Sequence, residues 1–123
     1  MKDLTKAEEQ VMHALWKLEK AFVKDVMEEF PEPKPAYNTV STIIRILEKK
    51  EFVSYKAFGK THQYFPIVSK EDYTKHTAGQ LVDNYFEGSF KNLVSFFVKD
   101  HDMTVREMDD LMKVIEAKKE QNG

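Results

Sequence analysis

The hydrophobic repeat of this chain changes period near residue 51, and that change limits the possible folds more than any other feature. Up to Lys50 the apolar residues recur at the spacing of one helix face. Phe52-Val53-Ser54-Tyr55-Lys56-Ala57-Phe58 and Thr61-His62-Gln63-Tyr64-Phe65 are instead aromatic and β-branched runs, separated by Gly59-Lys60. Such a pair reads as a β-hairpin, with Gly59 supplying the positive φ that its turn needs. Beyond Ser69 the helical spacing returns. The expected architecture is mainly α with a small β-hairpin: three helices, the hairpin, three helices.

Local signals place each helix. Thr5-Lys6-Ala7-Glu8 has the capping-box pattern, and Val11, Leu15 and Leu18, widened by Met12 and Trp16, predict a helix over 5–19. An extended link, Ala21-Phe22-Val23, leads to a second helix over 23–30, with Val23, Val26, Met27 and Phe30 inward. Pro31-Glu32-Pro33-Lys34-Pro35 excludes helix and favours extended backbone. A third helix over 36–50 buries Val40, Ile43, Ile44 and Leu47. Ser69 caps a fourth over 70–87, closed by Gly88; a fifth covers 90–99. Thr104-Val105-Arg106-Glu107 opens a sixth over 105–119, and the polar tail from Lys118 is expected to fray.

Three helices followed by a two-stranded hairpin is the order of a winged helix-turn-helix, in which helices two and three form the pair and the hairpin is the wing. The expected domains are a winged helix over 1–68 and a helical region over 69–123. Charge is divided along the same lines. Residues 33–68 hold Lys34, Arg45, Lys49, Lys50, Lys56 and Lys60 against Glu48 and Glu51, a net +4, although the whole chain is −2. A basic stripe is what phosphate binding requires, because each neutralised phosphate releases a counterion. An unevenly charged solvated surface is the bland alternative. Lys50 follows the core stripe and is expected to offset the dipole at the end of the third helix.

With its apolar stripe buried, the third helix presents Asn38, Ser41, Thr42, Arg45 and Lys49, with Tyr37 and Thr39 near its start. No Asp or Glu occurs between Lys34 and Glu48. Short hydroxyl and amide side chains let a helix approach base edges, and an arginine reaches a guanine edge or a phosphate. Lys56, Lys60 and His62 on the wing are placed for the minor groove or the flanking backbone. The expected DNA-binding residues are therefore Tyr37, Asn38, Thr39, Ser41, Thr42, Arg45, Lys49, Lys56, Lys60 and His62.

Leu4-Thr5-Lys6-Ala7-Glu8, Val11-Met12, Leu15-Trp16, Thr39-Val40, Thr42-Ile43-Ile44, Leu47-Glu48-Lys49-Lys50, Tyr64, Leu93-Val94 and Phe97 together resemble the penicillinase-repressor family of bacterial transcription regulators, the BlaI/MecI type. The resemblance implies a dimeric repressor of a two-fold symmetric operator, with an N-terminal winged helix and C-terminal dimerisation helices. It places Thr39, Ser41, Thr42 and Arg45 at recognition-helix positions. Ile46 departs from the pattern, since many members carry a basic residue there, and one backbone contact is lost with it. The resemblance also implies a membrane-bound sensor protease as a partner, which triggers cleavage at an Asn–Phe bond in the dimerisation part. The matching place is Phe96-Phe97, without the Asn; the Phe pair has core packing as its plain alternative. Copper sensing by C-terminal cysteines is not expected, because the chain has no cysteine.

The second half supports assembly on physical grounds. Leu81, Tyr85, Phe86, Phe90, Leu93, Val94, Phe97, Leu111, Met112 and Ile115 are more large apolar groups than three short helices enclose, so a dimer interface is expected from them. Packing back onto the winged helix is the alternative.

Composition excludes other classes. No run of 18 apolar residues is present, and the first ten residues, MKDLTKAEEQ, lack the apolar stretch of a secretory signal. A cytoplasmic protein is expected. The absence of cysteine removes disulfides, thiolate-bound metals and a thiol nucleophile, and four glycines leave little room for a phosphate loop. His13, His62, His76 and His101 form no ligand pattern, and the pairs Glu8-Glu9, Glu28-Glu29 and Asp109-Asp110 are adjacent, so their side chains diverge on a helix. No cofactor, metal or enzymatic activity is expected. Two other readings stay open: a winged helix that binds protein rather than DNA, and a ligand-gated regulator with an effector pocket in the C-terminal helices.

Overall fold

The computed structural model describes residues 1–100 and 103–122; His101, one of the four histidines weighed above, Asp102 and Gly123 lie outside them. The elements follow the expected order: α1 (Lys6–Leu18), α2 (Val23–Glu28), α3 (Tyr37–Lys49), β1 (Val53–Phe58), β2 (Thr61–Pro66), α4 (Lys70–Tyr85), α5 (Phe90–Lys99) and α6 (Val105–Asn122). The chain divides into two compact units, Met1–His76 and Thr77–Gly123, with the division inside α4.

Helix ends show why some boundaries shift. The Thr5 capping box forms in full. α2 stops at Glu28 rather than at 30, because Glu29 and Phe30 donate to Val26 and Met27, three residues back, ahead of the proline segment. α4 stops at Tyr85 rather than at 87. Gly88 N–H reaches back to the carbonyl of Val82, and Gly88, at φ 74°, takes the left-handed conformation expected of it, together with Glu87 at φ 54°. α6 continues to Asn122, so the tail expected to fray extends the helix instead.

In the first unit Val11, Met12, Leu15, Val26, Val40, Ile44 and Leu47 pack with Phe52, Val53 and Tyr64 of the hairpin segment and Tyr73 of α4. Ile43, expected in the core stripe, is only partly buried, as are Leu18, Trp16, Met27 and Phe30. β1 and β2 pair antiparallel, with Phe58 opposite Thr61 and Gly59 at φ 63° in the turn. Ala21 and Tyr64 exchange both backbone hydrogen bonds, at 2.9 and 2.8 Å, so the extended link before α2 braces the wing.

Among the described residues one charged side chain is buried. Glu8 is 4% exposed, and its carboxylate accepts from Lys50 Nζ at 2.7 Å and from Thr5 N–H at 2.8 Å. Lys50 also donates to the Asp3 carbonyl at 3.1 Å. This corrects the reading of Lys50 as a dipole cap alone. It ties the end of α3 to the start of α1.

Candidate nucleic-acid interface

The burial of Val40, Ile44 and Leu47 sets the roll of α3. The opposite face then has to be solvated. Asn38, Thr39, Thr42, Arg45 and Lys49 are exposed, Tyr37 is 46% exposed and Ser41 is half-buried. No side chain caps the first turn of α3.

The hairpin closes one side of this face. Tyr37, Ser41 and Arg45 from α3, and Lys60 and His62 from the wing, line one open groove of about 450 Å³. Its remaining wall comes from Phe22, Val23, Lys24, Asp25, Phe58, Thr61 and Tyr64. The Phe22 and Phe58 rings meet edge-on at 6.0 Å, His62 stacks on Tyr55 at 4.0 Å, and Lys56 Nζ lies 5.4 Å from the centre of the Phe58 ring. Lys24, Arg45 and Lys60 enter no ion pair among the described residues, whereas Asp25 is engaged by Phe22 N–H at 2.9 Å. The groove is thus cationic over an aromatic floor. Burial pushes the Tyr64 phenol above its ordinary pKa, so it stays neutral there.

Five of the ten residues expected at the interface meet in this groove. Asn38, Thr39, Thr42 and Lys49 lie elsewhere along α3, and Lys56 stands on β1 outside the groove lining. Sequence reasoning missed Phe22 and Lys24. They belong to a link and a short helix read only for core positions, and no local pattern aims them at the wing.

In the second unit, Val82 is the one buried side chain among the described residues. α5 has none. Of the residues expected at a dimer interface, Leu81, Tyr85, Phe90, Phe97, Met112 and Ile115 are exposed, and Phe86, Leu93, Val94 and Leu111 are half-buried. Phe96, Val105 and Val114 add to the exposed apolar surface. Leu81, Tyr85, Phe86 and Phe96 border an open hollow of about 390 Å³. Among the described residues no cluster of His, Asp or Glu could hold a metal ion, and no helix is long and apolar enough to cross a membrane.

Comparison with protein families matches residues 4–117 to the penicillinase repressor family. The methicillin resistance regulatory protein MecI of Staphylococcus aureus (strain N315) is 28% identical over 117 residues, 94% of this chain and 95% of that protein. The penicillinase repressor of Staphylococcus aureus is 23% identical over 114 residues, 92% of this chain and 90% of its own length. Among solved structures, a chain described as the CopR repressor is 31% identical, with a TM-score of 0.45, over 54% of this chain and 97% of that one.

Proposed function

This chain belongs to the penicillinase repressor family, and on that premise we propose how it acts as a transcriptional repressor. α3 enters the major groove of operator DNA with Asn38, Thr39, Thr42, Arg45 and Lys49 outward. The wing lies along the adjoining backbone, with Lys56, Lys60 and His62 toward phosphate. Residues 1–68 serve as the DNA-binding part, and 69–123 join two copies, so two half-sites are read together on one duplex.

The observation that carries this reading is the exposed face of α3: hydroxyl, amide and cationic side chains with no acid before Glu48, continuous with a groove whose lysines and arginine are without ion pairs among the described residues. The near absence of buried side chains among the described residues of the second unit supports the second copy as its partner. That surface also favours an interface over an effector pocket, because the hollow beside Phe96 opens onto it. For induction, Phe96 and Phe97 are exposed on α5, where cleavage by a membrane-bound sensor protease would need the helix to unwind locally.

The test is a gel shift with the DNA upstream of the chain's own gene. We expect binding that weakens steeply with salt. Arg45→Ala should cost about 1–3 kcal/mol of operator affinity if the guanidinium reads a base. No shift at low salt and micromolar protein would remove the repressor mechanism, and unchanged affinity in the variant would remove the role of Arg45.

A further inference from the structure

The outward face of α3 carries an apolar line that cations and hydroxyls do not explain. Ile46 is 39% exposed on this helix. Thr39, Thr42 and Ile46 are spaced i, i+3, i+7, so the helical period sets three methyl-bearing side chains in one row. Thr39 and Thr42 are exposed as well. Arg45 and Lys49, spaced i, i+4, form a second row along one side of the first, and neither enters an ion pair among the described residues. The part of the Ile46 side chain left in water beside these cations gains nothing from burial in the free chain. Single exposed apolar residues are ordinary; a row of methyls on the face opposite the core stripe is more specific.

Only one group on the base edges of the major groove is apolar, the C5-methyl of thymine, and threonine methyls and other small apolar groups contact it. We propose that Ile46 and Thr42, extended by Thr39, are specificity-determining residues that read thymine methyl groups, while Arg45 and Lys49 contact guanine or phosphate beside them. This inference rests on the reading that α3 enters the major groove. It selects half-sites that place thymine under the second and third turns of α3. An acidic protein surface is the other partner that methyls beside cations would fit, and the wing, whose Lys60 enters no ion pair among the described residues, favours DNA.

The full-length chain would first be used to select duplexes from a random-sequence pool. Each thymine of a selected duplex would then be replaced singly by deoxyuridine, which removes the methyl and leaves base pairing and O4 in place. We expect thymines in symmetric positions whose replacement weakens binding roughly three- to tenfold. That sensitivity should vanish in Ile46→Ala and shrink in Thr42→Ser, which loses a methyl and keeps its hydroxyl. Both positions are exposed, and circular dichroism would confirm that the variants fold. Binding indifferent to uracil at every thymine, or equally sensitive in wild type and Ile46→Ala, overturns the inference while leaving DNA binding intact. Failure to enrich any duplex overturns the major-groove reading and this inference with it.

Discussion

Glu8 shows how one side chain sets the pH response of the fold. Burial alone would raise its pKa, but hydrogen bonds from Lys50 and Thr5 N–H, with the nearby charge of Lys50, outweigh burial and hold it below the ordinary carboxylate value. A carboxylate with a lowered folded pKa contributes stability above its unfolded value and loses it as the pH falls through the folded one. The contribution is therefore complete at neutral pH and declines once the pH drops below the ordinary value of 4.5. Glu8→Ala removes the carboxylate partner of Lys50 and the reciprocal half of the α1 capping box. It should cost about 2–3 kcal/mol at neutral pH, less than for a fully enclosed pair because Lys50 keeps 22% side-chain exposure. Urea unfolding at neutral pH measures that loss. Repeating it at successively lower pH, below 4.5, should show the gap between the two proteins narrowing. A gap that stays constant would mean that the charge of Glu8 is irrelevant.

Among the elements, the start of α4 joins the core of the winged helix through Tyr73. Tyr73 is buried against Phe52 and Trp16, accepts from Leu4 N–H at 3.3 Å and donates to Glu9 Oε1 at 3.2 Å. Trp16 Nε1 donates to the Val68 carbonyl at 2.9 Å, and His76 meets Asp3 at 3.1 Å, so the approach to α4 and its first two turns are held at several points. Tyr73→Phe keeps the ring and deletes the hydroxyl. It should lower stability by about 1–2 kcal/mol in thermal or urea unfolding. Operator affinity of the folded fraction should be unchanged, because α3 is untouched; a selective loss of affinity with normal stability would give α4 a direct part in DNA contact.

For the whole molecule the governing quantity is apolar surface left without a partner in the second unit. Phe90 at 63% and Tyr85 at 75% exposure stand in water at a cost that the proposed second copy would remove. Phe90→Asp would place a carboxylate in the proposed interface and should shift sedimentation from the proposed dimer toward monomer at micromolar concentration. The operator shift should then require roughly tenfold or more additional protein, since the two half-sites lose their linkage. A wild-type chain that sediments only as monomer would defeat the assembly.

The sequence by itself determined the element types and their order, because hydrophobic period, capping residues and turn glycine act over a few neighbouring positions. It also determined which face of α3 is polar: once Val40, Ile44 and Leu47 are inward, geometry assigns the rest. Tertiary structure alone decided that Lys50 reaches Glu8 rather than only the end of its own helix, that Tyr73 plugs the winged helix, and that Phe22 and Lys24 join Arg45 and Lys60 around one groove. These pairings join residues tens of positions apart, and their distances follow from how the helices and hairpin pack, which no short-range repeat records.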